Sequence, residues 1–217
     1  MSSKLEQLHL AVVSGDVATT KSLLCAGNAN YRDPKEGLTL LGWAVACGQV
    51  SVAAALLDAG AKRHVPDRHG FTPLHRAAAE GKHSMVELLL THPGGIAAVG
   101  GGVGVDVNVP SSPGRRTPLI LASIRGDAAM VALLWRHGAD VDARDADGMS
   151  ALDHATYRGF NAVVSLLIGH GAECNAARYY CEEGIKHVAT VPQRDSFESI
   201  VKDLCAPWAP QSLVTMA

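Results

Sequence analysis

Two kinds of apolar stripe alternate along this chain at short, regular intervals. In residues 70–90, GFTPLHRAAAEGKHSMVELLL, Leu74, Ala77 and Ala78 fall at i, i+3 and i+4. After Gly81 a wider stripe follows at Met85, Val86, Leu89 and Leu90. Both stripes have the period of a helix face. Thr72-Pro73 marks the start of the first helix: the threonine hydroxyl accepts from orphan first-turn amides, and proline fits the first helical position, where its missing N–H costs nothing. Gly81 ends that helix, because glycine enters the left-handed C′ conformation without a Cβ clash. Isolated helices shorter than about 12–15 residues are marginal in water. The pattern therefore predicts a unit that stands only by stacking on copies of itself.

The copies are present. Gly15, Gly48 and Gly81 lie 33 residues apart, as do Gly126 and Gly159, Thr39 and Thr72, and Thr117 and Ser150. The first-helix segments read TLLGWAVACG (39–48), TPLHRAAAEG (72–81), TPLILASIRG (117–126) and SALDHATYRG (150–159), after a leading LHLAVVSG (8–15). Each is followed by a second apolar run. Three departures interrupt the period. The first unit opens on Ser3-Lys4-Leu5-Glu6, a capping-box pattern with a polar leading face. Between Gly81 and Gly126 the interval is 45, which inserts 12 residues around PGGIAAVGGGVGV (93–105), expected to be a flexible loop. After Arg178 the period dissolves. Phe197, Ile200, Val201 and Leu204 still share a helical face there, predicting a closing helix capped by Asp195 or Ser196 and stopped by Pro207 and Pro210.

A 33-residue period with T-P-L-H and two helices per repeat resembles the ankyrin repeat family. The resemblance covers residues 4–178 and implies an all-α solenoid of stacked helix-turn-helix units with β-turn fingers and a concave groove. About five repeats are expected, near 4–36, 37–69, 70–113, 114–147 and 148–180, in a repeat domain spanning 1–184, with a capping helix and tail at 185–217. The family's partner-facing positions are the finger tips and the exposed edge of the first helix. Carried over by register, they place Leu38, Arg68, His69, Phe71, Arg116 and Met149 on the fingers, and Ile124, Arg125, Tyr157 and Arg158 on the first helices. Trp43, Arg76 and His154 share one further position bordering the groove. Arginines and aromatic residues dominate binding hot spots. This set implies a protein partner, one with an acidic segment carrying apolar anchors.

Charge and composition narrow the partner class. A net charge of −2 with both signs interspersed provides no field for a nucleic-acid backbone. No signal peptide is visible, and the longest uncharged run is shorter than the about 20 apolar residues a membrane span needs, so the expected compartment is the cytosol or the nucleus. The five cysteines are odd in number and lack C-x-x-C spacing, which predicts free thiols. Among ten histidines, His9 and His75 share one register, and His92, His137 and His170 stand near second-helix ends, so both groups read as scaffold. His170, Cys174, Cys181 and His187 have nitrogen and sulfur ligands of the kind zinc uses, but no tight knuckle spacing, so no metal is expected. The glycine-rich insertion lacks the Gly-Lys-Ser/Thr of a phosphate loop, and no nucleophile stands beside a base. The sequence points to a non-enzymatic adaptor or scaffold without a cofactor. A fixed subunit of a larger assembly, held through the insertion, the convex helices and the tail, is the second reading. An accessory of an enzyme is the third.

Overall fold

Stacking of short helices is what the computed structural model displays; it describes residues 2–25, 27–93 and 105–173, with side chains from Lys4. Among these residues ten helices follow in pairs: α1 (Ser2–Ser14) with α2 (Val17–Leu23), α3 (Leu40–Ala46) with α4 (Val50–Asp58), and α5 (Pro73–Glu80) with α6 (His83–Thr91). Then come α7 (Pro118–Arg125) with α8 (Ala128–Arg136), and α9 (Ala151–Tyr157) with α10 (Asn161–Gly169). Pairing in space divides the chain into two units, Met1–Pro118 and Leu119–Ala217. In the first unit α1, α3 and α5 stack as one layer, and α2, α4 and α6 as another. In the second, α10 packs on α8 and α9.

The stack rests on register. Leu8, Leu41, Leu74, Leu119 and Leu152 occupy one position of successive first helices and are all buried. Three residues later stand Ala11, Ala44, Ala77, Ala122 and Ala155, also buried, and their small side chains let first helices approach closely. On the second helices Leu56, Leu89, Leu134 and Leu167 are the matching anchors.

Helix starts follow the sequence. The Thr39 hydroxyl accepts from the Gly42 amide at 3.1 Å. Ser150 and Asp153 close a reciprocal box, Ser150 Oγ accepting at 3.2 Å and Asp153 Oδ2 accepting from the Ser150 amide at 2.7 Å. At the other end of the chain α1 begins at Ser2, one residue before the serine expected to cap it.

Helix ends use a device the sequence pattern does not announce. Gly15 and Gly126, at φ 79° and 80°, close first helices. A Cβ on Gly15 would lie 2.5 Å from the Gln49 side chain, and one on Gly126 would lie 2.8 Å from the Phe160 ring. Gln49 and Phe160 each follow the next repeat's glycine, so the missing Cβ admits a side chain from the neighbouring repeat. Lys82, in the same register, donates to the Val45 and Ala46 carbonyls at 2.8 and 2.6 Å. That bond satisfies orphan acceptors at the end of α3.

Just before the insertion in the sequence, α6 ends on His92 and Pro93 rather than glycine. Arg63 reaches across from the previous unit of the pattern and donates to Leu89 O at 3.1 Å and His92 O at 2.5 Å. The insertion itself, apart from its end residues 93 and 105, lies outside the described residues. So do the closing helix and Cys174, Cys181 and His187. No helix among the described residues is long and apolar enough to cross a membrane, and no three potential metal ligands gather there.

Candidate partner-binding fingers

Each finger is a tight turn closed by backbone bonds. Asp33 N donates to Leu38 O at 2.8 Å, Asp67 N to Phe71 O at 2.9 Å, Ser111 N to Arg116 O at 2.9 Å, and Asp145 N to Met149 O at 3.0 Å. Isolated bridges Arg32–Thr39 and Arg144–Ser150 mark the bases of two of them. These contacts are too short to make a strand, and none occurs among the described residues.

A carboxylate organises the interior of two fingers. Asp67 Oδ1 accepts from the His69 and Phe71 amides at 2.8 and 3.0 Å, and its other oxygen takes Arg76 Nη2 at 2.5 Å. Asp145 repeats this with the Asp147 and Met149 amides at 3.0 and 2.9 Å and with His154 Nε2 at 2.8 Å. Burial opposes both charges. The hydrogen bond from Arg76 with two amides, and that from His154 with two amides, outweigh it and hold both carboxyls below their ordinary value.

Arg76 and His154, expected at the groove edge, therefore also staple helix to finger. Their shared partner stands nine residues upstream, an offset unrelated to the 33-residue period. Leu38, expected on a finger tip, is buried. It is only 8% exposed, because its side chain covers Gly42 at the start of α3. Trp43 is half-buried, edge-on to His9 with ring centroids 4.8 Å apart.

The rest of the expected set lies at the surface in varying degree. Arg68, His69, Arg125, Tyr157 and Arg158 are exposed; Phe71, Arg116, Ile124 and Met149 are half-buried. Leu38, Val65, Phe71 and Pro73 line a shallow crease of about 200 Å³ open to solvent. It is a surface furrow with no interior space for a small molecule. Leu10 was missed by sequence reasoning. It is 67% exposed and shares the register of Trp43 and Arg76, a position that only the offset to Leu8 reveals.

His75 ties fingers together within the first unit. Its Nδ1 accepts from the Thr72 amide at 3.2 Å, so Nε2 carries the proton and donates to Arg116 O at 3.0 Å. Burial pushes this imidazole below its ordinary pKa, against the pull of the backbone carbonyls. His92, His137 and His170 are the C-caps of α6, α8 and α10, as their register predicts.

Short stacked helix pairs that project turns and leave the turn surface chemically diverse define a repeat-built interaction protein. A family model described as ankyrin repeats (3 copies) matches residues 8–99 and 97–178. The chain belongs to the ankyrin repeat family. No curated protein matches it. Ankyrin repeats generally mediate protein–protein interaction and are typically non-enzymatic.

Proposed function

We propose that this chain is a non-enzymatic adaptor or scaffold that reads a partner protein with its finger tips and first-helix ends, and that the partner segment is acidic with apolar anchors. The carrying observation is the exposure of Arg68, Arg125, Arg158 and the 53%-exposed Tyr157 on a finger and at first-helix ends. Aromatic and arginine side chains left in this state are the residue types that dominate binding energy. The first unit offers Arg68, Phe71 and the crease beside them; the second offers Ile124-Arg125 and Tyr157-Arg158 in matching register.

Phe71→Ala and Arg125→Glu test the reading. Surface changes away from packing stay within about 0.5 kcal/mol of wild type, whereas loss of a hot spot costs roughly 2 kcal/mol or more of affinity. Loss of partners in quantitative pull-downs with unchanged melting curves is expected; retention of every partner by both variants contradicts it. A second reading, a fixed subunit of a larger assembly, is favoured by Trp135. It is 40% exposed on a second helix and stacked on His170 at 3.6 Å. Under that reading Trp135→Ala loses the partner while the finger variants keep it.

A further inference from the structure

Three fingers turn through glycine at the same place, two residues before the helix cap: Gly37 at φ 70°, Gly70 at 74° and Gly148 at 74°. The finger before Thr117 has Arg115 there, at φ 51°, the only positive-φ non-glycine residue among those described. Left-handed backbone is strained for any residue with a Cβ, least for Asn and Asp, and arginine has no such exemption. A glycine stands next to it at 114 and does not take the left-handed position. The fold thus carries the strain at an arginine with a glycine one residue away. The Arg115 side chain is exposed and makes no hydrogen bond or ion pair with a described residue, so nothing in the packing requires it.

Its neighbours supply the context. Arg68, exposed on the preceding finger, donates Nη2 to Pro34 O, and Arg32 donates Nη2 to Pro66 O at 3.0 Å. Both guanidiniums are held by neutral carbonyls rather than by carboxylates. Lys35 is exposed beside them. The two fingers that carry Arg68 and Arg115 touch directly, Ser112 N donating to Gly70 O at 3.3 Å. The chain as a whole has net charge −2, so this cationic ridge is local.

We propose that Arg115 is a partner-recognition residue, kept in a strained conformation to present its guanidinium, and that with Arg68 and Lys35 it takes carboxylate side chains of an acidic peptide segment whose apolar anchor packs against the exposed part of Phe71. This rests on the adaptor reading above. A peptide fits better than a nucleic acid, because Asp33 and Glu36 break the ridge into separate cationic points, which discrete carboxylates can match and an unbroken phosphate backbone cannot.

The test is a selection of displayed random peptides on the full chain, followed by affinity and melting measurements of R115G and R115K. Peptides rich in Asp and Glu around an aliphatic or aromatic residue are expected. R115G should bind them at least tenfold more weakly yet melt about 2–4 °C higher, as relief of the strain predicts. R115K, which keeps both charge and strain, should leave melting unchanged and retain most of the affinity. A purely structural Arg115 would give R115G the same affinity as wild type, which overturns the proposal, as does a lower melting temperature for R115G. Selected peptides without acidic excess that depend on Phe71 defeat the carboxylate clamp but leave the adaptor reading standing. No selected peptide sensitive to any finger variant defeats both. Binding of a single-stranded oligonucleotide through Arg115, in place of peptides, also overturns it.

Discussion

His75 shows how much a single side chain decides. Buried, and with its Nδ1 engaged as an acceptor, it refuses a proton that the unfolded chain takes up. Its folded pKa lies below the ordinary 6.5, so the unfolded state binds more protons as pH falls through that value, and stability falls with it. Asp67 and Asp145 act lower. Their folded pKa values are depressed below 3.8, so the stability they add is present above that value and lost as pH falls through the folded one. Urea unfolding should weaken between about pH 7.5 and 5.5, and His75→Gln should flatten that slope while lowering stability throughout. An unchanged slope would show that His75 is not the titrating group. The role of His75 was legible in the sequence, because T-P-L-H places it at a helix start. The staples of Arg76 and His154 were not, since the Asp each binds stands nine residues upstream in the finger, an offset that neither the helical nor the 33-residue period marks. Nor was the burial of Leu38, which depends on which side of the turn its Cβ points.

At the scale of the helix, the glycine period was the strongest signal in the chain, and its meaning proved double. Left-handed φ accounts for Gly126 as a helix end. The approach of Phe160 to within 2.8 Å of where its Cβ would stand adds a second reason, one that couples successive units of the pattern. Gly126→Ala should therefore cost more than the conformational penalty alone, about 2 kcal/mol. Phe160→Ala should relieve part of that cost, so a double-mutant cycle should give a coupling of about 0.5 kcal/mol or more. Additive effects would mean that the ring moves aside freely. Sequence periodicity found the glycine because only glycine turns there without strain. It did not find Gln49, Lys82 or Phe160, whose shared task is met by three unrelated side chains. The same limit hid Arg63, which caps α6 only because the insertion removed the ordinary ending.

Within each of the two units neighbouring repeats pack on one another, and the turns leave side chains at the surface. The family and the all-helical architecture were legible because many in-phase positions agreed. The proposed partner face rests on analogy of register, since exposure depends on side-chain direction as well as on spacing. The central claim is that partner binding falls on the fingers and first-helix ends. Amide hydrogen exchange of the chain, free and bound to a captured partner, tests it most directly. The account predicts added protection at residues 32–39, 66–72, 111–117 and 144–150 and at the ends of α7 and α9, with α2, α4, α6 and α8 unchanged. Protection confined to those second helices, or to residues 94–104 and 174–217, would contradict it.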